Sequence, residues 1–384
     1  MNKLVLISCL LLSAAQNGVD GLAKKGAPRK AKAKAGGGGF GAGAQAPTFQ
    51  HIPDTSDTTS RLISFLKAQN AKGLDNVDVG TQEETGLRGL FCTKSFKKGQ
   101  MVCRIPSDCA LALSDPSKNG EDAPTLAHSG ANFLKMYMKD ERANKLWSPY
   151  LDTLPTKDDS SKFDPTPDFF DDETLQLLEF PRIINKARER KEQIQSVASE
   201  YGLNVDEVQF ATYLAASRSF SINLSTEENQ TEDGAQEIEI DDRGQIITKA
   251  GDTKDVKVLV PFIDLCNHSS DQANCKLTLI DPEKDEAWFA LEATRPIAAG
   301  KELTISYGNG IESSVNMLLN YGFVPTPNKF DQLMLKKGGD DCIASVDGWT
   351  TSLEEDKSMK AMAEDDRTLS TIMDFRIKLK ESYP

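Results

Sequence analysis

The sequence predicts an α+β fold built of short β-strands, with a helical block inserted between them and an abbreviated helical region at the C-terminus. Three observations predict it. Apolar residues recur at helical spacing through 123–217, β-prone runs flank that block on both sides, and neither alternating strand and helix units nor an internal repeat is visible.

In chain order, residues 55–70 carry Leu62, Ile63, Phe65 and Leu66 behind Ser and Thr residues able to cap, which predicts a short helix. From Gly86 the run GLRGLFCTKSFKKGQMVCRIP separates β-prone pieces with Gly and Lys-Gly turns. The helical block opens at 126–138. WSPYLDTLP is expected to break it at Pro149 and Pro155, and 171–201 resumes with a break at Pro181. Asn204 can cap a further helix through Ser217, with Val208, Ala211, Leu214 and Ala215 on one face. Residues 226–255 are polar and acidic without a helical stripe, so they form a surface insertion or hairpin. Strand character returns in KVLVPFIDL, CKLTLI, AWFALEATRPI and ELTISYG, followed by helices at 313–320, stopped at Gly322, and at 366–381.

The chain has 384 residues, 39% of them hydrophobic, enough to bury a sizeable core and long enough for two domains. Its 45 Lys and Arg stand against 58 Asp and Glu, a net charge of -13. That charge is uneven. Residues 1–50 hold seven basic side chains and one acidic, Asp20, so the remaining 334 carry 38 basic and 57 acidic groups, a net of -19. Such a surface repels phosphate backbones, and a basic protein or peptide is the easier partner to steer in. A nucleic acid is not the expected partner, nor, once the leader is removed, is a membrane; the chain itself is expected to be a monomer.

The N-terminus accounts for the imbalance. Lys3 precedes the apolar run LVLISCLLL and the small residues Ser13, Ala14 and Ala15, which reads as a secretory signal peptide over 1–22. Residues 23–55 read as a flexible basic targeting or linker segment: 21–50 alone hold eight Gly, eight Ala and six Lys or Arg, with no Asp or Glu. A signal followed by a basic, acid-poor stretch resembles the bipartite presequence of plastids acquired by secondary endosymbiosis. The expected destination is the plastid, with simple secretion as the alternative.

Many enzyme classes lack their diagnostic chemistry here. GxSxG, GxxxxGK[ST], HExxH and a strand-borne GxGxxG are all missing, which excludes the usual serine hydrolase, P-loop, zincin and dinucleotide-binding sites. Seven cysteines without a CxxC fit neither zinc nor a redox pair; Cys92, Cys103, Cys109, Cys266, Cys275 and Cys342 read as mostly buried thiols. The three histidines are too scattered to suggest a metal.

Five ordered motifs carry a family resemblance. GLRGLF with KKGQMVCRIP, then VPFIDLCNHSS, then AGKELTISYG leading to NMLLNYGFVP resemble the SET-domain protein methyltransferases, while WSPYLDTLP and ATYLAASRSF resemble the subgroup of plant Rubisco lysine methyltransferases and their animal relatives. The resemblance spans roughly 58–330. It implies a SET domain over 56–325 with its helical insertion at about 123–217, and a partial C-terminal substrate-binding-like region over 326–384. It also implies S-adenosylmethionine as cofactor, no metal, and methyl transfer to a lysine side-chain amine of a protein. A histidine acceptor and a non-catalytic SET-like binding module are the alternatives.

The same resemblance assigns the site. Tyr307 in ISYG matches the catalytic tyrosine. Gly86, Leu87 and Arg88 match the first cofactor-binding segment, with Gly89 a near alternative in register. Arg218 in SRSF matches the arginine that pairs with the cofactor carboxylate, and Asn267 with His268 matches the pair that holds its adenine and amino-acid portions. Asp264, Tyr321 and Phe323 match positions beside the acceptor. Ile222 departs from the plant pattern, where a polar substrate contact is usual. Only 77 residues follow Tyr307, so the C-terminal substrate-gripping region is expected to be abbreviated, or the gene model incomplete.

Overall fold

The computed structural model describes residues 51–114, 124–158, 163–223, 239–240, 246–247, 255–282, 284, 286–307, 313–325, 331–332, 334–335, 343, 345–363 and 365–383. The expected signal peptide, all but the last residues of the basic segment, Cys9, Cys342 and most of the 226–255 insertion lie outside the described residues. Among the described residues no helix is long and apolar enough to cross a membrane.

The strands are β1 (His51–Pro53), β2 (Val77–Gln82), β3 (Arg88–Cys92), β4 (Met101–Pro106), β5 (Leu111–Ala112), β6 (Ser219–Asn223), β7 (Glu239–Ile240), β8 (Ile246–Ile247), β9 (Asp255–Leu259), β10 (Asn267–His268), β11 (Cys275–Ile280), β12 (Trp288–Ala293) and β13 (Glu302–Ile305). They form small sheets ordered β1-β2-β3-β13-β10, β11-β12-β4 and β5-β9-β6, with β7 and β8 as a separate pair. Among the described residues every strand pairing is antiparallel except β10 with β13, where Asn267 faces Thr304 and His268 faces Ile305. That parallel pair brings the Asn-His dipeptide beside β13, two residues before Tyr307.

The helices are α1 (Asp57–Ala68), α2 (Leu126–Phe133), α3 (Glu141–Leu151), α4 (Asp172–Gln176), α5 (Pro181–Tyr201), α6 (Val205–Arg218), α7 (Ser314–Tyr321), α8 (Leu353–Met362) and α9 (Arg367–Ser382). Most follow from the local rules. Ser56 caps α1 by accepting from the Thr59 amide, Pro181 opens α5, and Asn204 caps α6 by accepting from the Glu207 amide. One local rule fails. Pro149 lies inside α3 and does not break it. Proline cannot donate to the carbonyl four residues back, but the Ser148 hydroxyl donates to that carbonyl, Lys145 O, at 3.1 Å, so the lost bond is replaced.

Two hydrophobic cores result. The first joins α1, α2, α3, α6 and the sheets, with Leu62, Leu66, Phe133, Tyr137 and Tyr150 almost fully enclosed. The second gathers Phe180 and Ile183 from the start of α5, Val315, Leu318 and Leu319 from α7, and Ile372, Phe375 and Leu379 from α9. The described part of 326–384 therefore packs onto the helical insertion and onto the helix that follows Tyr307.

Candidate active site

The helical insertion and the strands that follow it meet around a cleft of about 660 Å³. It is lined by the end of α6 and strand β6 (Arg218, Phe220, Ile222), by Asp264 and Cys266, and by Tyr307, Asn320 and Tyr321. Four of the residues singled out from the sequence, Arg218, Asp264, Tyr307 and Tyr321, thus share one wall system.

Tyr307 is held at three points. Its hydroxyl donates to the Cys266 carbonyl at 2.8 Å, its amide donates to His268 Nδ1 at 3.0 Å, and its ring stacks on Tyr321 with centroids 4.6 Å apart. Burial, followed by the neighbouring Tyr321, pushes the phenol far above its ordinary range, so it stays protonated. With its proton committed to a carbonyl, the phenolic oxygen retains lone pairs with which to accept an N–H.

His268 accepts at Nδ1, which puts its proton on Nε2, 2.9 Å from Ser270 Oγ. Burial lowers its pKa and keeps the ring neutral. Asn267 spends both amide hydrogens, on Arg88 O at 3.0 Å and Glu302 Oε1 at 2.7 Å, leaving its carbonyl oxygen for another donor.

Arg218 meets a protein carboxylate. Its Nη1 lies 3.3 Å from Asp264 Oδ2, and the Tyr150 hydroxyl donates to the same oxygen at 2.8 Å. Asp264 has no exposed side-chain surface, and its Oδ1 has no hydrogen-bond partner among the described residues. Burial raises its pKa, opposed by Arg218 and by the Tyr150 hydrogen bond. Just ahead of it, buried Phe262 is held at φ +75°, ψ -48°, a conformation that costs a bulky residue about 1–3 kcal/mol and persists only where packing enforces it.

The remaining expected residues do not line this cleft, although His268 touches Tyr307, and Phe323 lies beside His268 and Tyr321. Gly86, Leu87, Arg88, Asn267, His268 and Phe323 are not among the residues lining the cleft. Gly86 (φ +70°) and exposed Leu87 form the turn between β2 and β3, and nothing lies within 4 Å of where a Gly86 Cβ would stand. Arg88 turns its guanidinium to Asp54 and Thr59 at the start of α1; against burial, bonds from Thr59 and Ser56 and the Arg88 charge hold the Asp54 carboxyl at about 2. Only the Arg88 carbonyl reaches Asn267. The crowded glycine is Gly89, where a Cβ would stand 2.7 Å from Glu302 Oε1 and 2.8 Å from Asn267 Nδ2.

Tyr321 is the last residue of α7 rather than a residue past its end. Sequence reasoning passed over Tyr150 and Arg190. Partly buried Arg190 of α5 donates to Leu319 O and, at 2.7 Å, to Asn320 Oδ1, and so braces the helix end that carries Tyr321; Asp168 stands 3.5 Å behind it. The WSPYLDTLP motif was the only available signal for Tyr150.

Five cysteines are described, Cys92, Cys103, Cys109, Cys266 and Cys275, all buried and unpaired. Burial pushes the thiols of Cys103, Cys109 and Cys275 up to about 12, which leaves them inert. Among the described residues no cluster suited to a metal is present.

The family model described as SET domain matches residues 87–308, more than half of the chain. The chain belongs to the SET-domain family. Its fold is shared with solved structures titled "Crystal structure of the SET domain of LSMT bound to Lysine and AdoHcy" (TM-score 0.54, 14% identity, 86% of this chain and 90% of that one) and "Structure of Rubisco LSMT bound to AdoMet" (TM-score 0.52, 15% identity, 85% and 89%). Similar curated proteins are the actin-histidine N-methyltransferases of Mus musculus (23% identical over 292 residues, 71% of this chain) and Gallus gallus (24% over 291 residues, 70%). The SET-domain chain spans 43% of the length of each of these curated relatives. SET-domain methyltransferases use S-adenosylmethionine, and the α+β SET fold expected from the motifs is the one observed.

Proposed function

We propose that the chain is a protein methyltransferase dependent on S-adenosylmethionine, and that its acceptor is a lysine side-chain amine. The observation that carries this reading is the cleft itself, in which Tyr307, Tyr321, Arg218 and a half-satisfied buried Asp264 stand together.

The residues present fit the cofactor. Arg218 offers a planar donor fork to a carboxylate, Asp264 Oδ1 and Ser306 Oγ, unpartnered among the described residues, offer acceptors to an ammonium, and Asn267, whose Nδ2 lies against Gly89, spends its amide hydrogens on Arg88 O and Glu302 Oε1 and keeps its carbonyl oxygen as an acceptor. When bound, the cofactor supplies a methyl group on a cationic sulfur. This chain's own residues do the rest. A lysine at pH 7 must first lose a proton, about 4.6 kcal/mol uphill from its ordinary pKa of about 10.4. Apolar walls such as Phe220, Ile222 and Leu277 disfavour the ammonium. The Tyr307 oxygen can accept one N–H of the neutral amine and so aim its lone pair, while Tyr321 confines the approach.

A histidine acceptor is the second reading, favoured by the curated relatives named actin-histidine N-methyltransferase. An imidazole is largely neutral at pH 7 and needs no deprotonation first. Incubation of the chain with labelled cofactor and protein extract, followed by mass spectrometry of the labelled peptides, separates the two. Methyl-lysine supports the first reading and methyl-histidine the second. A chain that binds cofactor yet labels nothing, native and Tyr307→Phe alike, would be a binding module instead. Delivery to the plastid belongs to the same proposal and rests on 1–55 alone; a fluorescent fusion of those residues that enters the secretory pathway without reaching plastids would overturn it.

A further inference from the structure

We infer that Tyr150, carried by the helical insertion, is a positioning residue for the cleft: its hydroxyl fixes which oxygen of Asp264 holds Arg218 and which stays open to a ligand. This rests on the reading above, in which Asp264 and Arg218 belong to the reacting site.

A carboxylate is free to turn about a broad, nearly two-fold torsion, so one ion pair at 3.3 Å does not decide which oxygen faces Arg218. A second donor on the same oxygen does. Tyr150 supplies it at 2.8 Å from a ring with no exposed surface, across 114 residues of chain. Arg218 Nη1 adds a contact of 3.5 Å to the Asp264 carbonyl, so both donors converge on one side of the residue and Oδ1 is left over. A phenylalanine would fill the same core position without requiring a buried partner, so the hydroxyl is a cost unless it is used.

Tyr150 acts as a fixed donor and not as an acid or base. Burial and the adjacent Asp264 charge hold its phenol well above the ordinary range. The groups that face Asp264 are Arg218 and Tyr150 and, further off, Arg88, Tyr307 and Cys266. Removing the Tyr150 bond withdraws one of the few influences that favour the ionised carboxylate, so Asp264 protonates at higher pH.

Tyr150→Phe deletes one oxygen atom and tests this directly. Three quantities are measured on the full chain: kcat/KM for methyl transfer as a function of pH, the affinity for S-adenosylhomocysteine by calorimetry, and Tm. The expected result is a loss of about 10-fold in kcat/KM, the low end for a hydrogen bond to a charged group. Binding of S-adenosylhomocysteine weakens in the same direction, Tm stays within about 3 °C, and the acid limb of the rate profile moves to higher pH. In the Asp264→Asn background the limb does not respond to Tyr150→Phe. An active wild type beside an unchanged Tyr150→Phe overturns the inference alone. So does a variant whose activity falls only in step with a large loss of Tm, which would make Tyr150 a structural residue. A wild type that neither binds S-adenosylhomocysteine nor labels any protein overturns the functional reading, and this inference with it.

Discussion

Two buried clusters of charge in this protein look alike and are finished differently. In the C-terminal helices, Asp356 accepts from Thr351 at Oδ1, faces Arg376 at both oxygens, and accepts from Lys380 at Oδ2, while Arg376 is also engaged by Glu179 and Leu177 O. Nothing is left over. In the cleft, Asp264 has both its donors on Oδ2 and none on Oδ1. A closed cluster of this kind holds two elements together. A buried carboxylate with an orphaned oxygen is costly to folding, and at Asp264, unlike at Asp168, the orphaned oxygen belongs to a residue that lines the cleft, where a ligand can complete it.

Breaking the closed cluster should give the largest effect on stability. Asp356→Asn removes the charge that neutralises buried Arg376 and Lys380, a loss of about 3–5 kcal/mol, or a Tm lower by roughly 10 °C, with methyl transfer per folded molecule unchanged. Calorimetric unfolding beside an activity assay checks both halves. On the open side, Tyr307→Phe should reverse that pattern. Loss of the hydroxyl that orients the acceptor lowers kcat/KM by about 100 to 1000-fold while Tm hardly moves.

A smaller effect is expected at Gly89. Gly89→Ala forces a methyl against Asn267 and Glu302, an overpacking cost of about 1–3 kcal/mol, and S-adenosylhomocysteine affinity should fall about 10-fold, whereas Gly86→Ala leaves that affinity unchanged. Equal losses at the two glycines would return the cofactor segment to the β2-β3 turn.

The mildest effect concerns His268. Its folded pKa lies below the unfolded value of about 6.5, so the folded state binds fewer protons and stability rises with pH. This contribution is complete above the unfolded pKa and is lost as pH falls through the lower folded one. Denaturant unfolding of wild type and His268→Asn should therefore show a stability difference that shrinks between neutral pH and pH 5. A difference that grows on acidification would contradict a neutral, accepting imidazole.

What the sequence disclosed, and what it hid, follows from range. Helix caps at Ser56 and Asn204, the stop at Gly322 and the strand just before Tyr307 depend on residues three or four apart and were readable. The Ser352 and Glu355 capping box of α8 was equally local but was passed over, because LEEDKSMKAM has no apolar stripe. Pro149 was misjudged because a helix-breaking rule does not count a neighbouring hydroxyl. Tyr150 lies in the WSPYLDTLP motif, but its contact and that of Arg190 were hidden for a different reason: each acts on a residue more than a hundred positions away, and no local pattern marks such a contact. The assignment of 86–88 came from motif register, and one residue of shift separates an exposed turn from the crowded Gly89.

The most direct measurement places the two aspartates side by side. Asp264→Asn and Asp356→Asn are incubated with labelled S-adenosylmethionine and the acceptor extract, at a temperature below both unfolding transitions, and label is counted per folded molecule. Asp264→Asn should lose about 100-fold and Asp356→Asn essentially nothing. Equal labelling by the two variants, or a loss confined to Asp356→Asn, would contradict the claim that the open cluster is where methyl transfer is arranged.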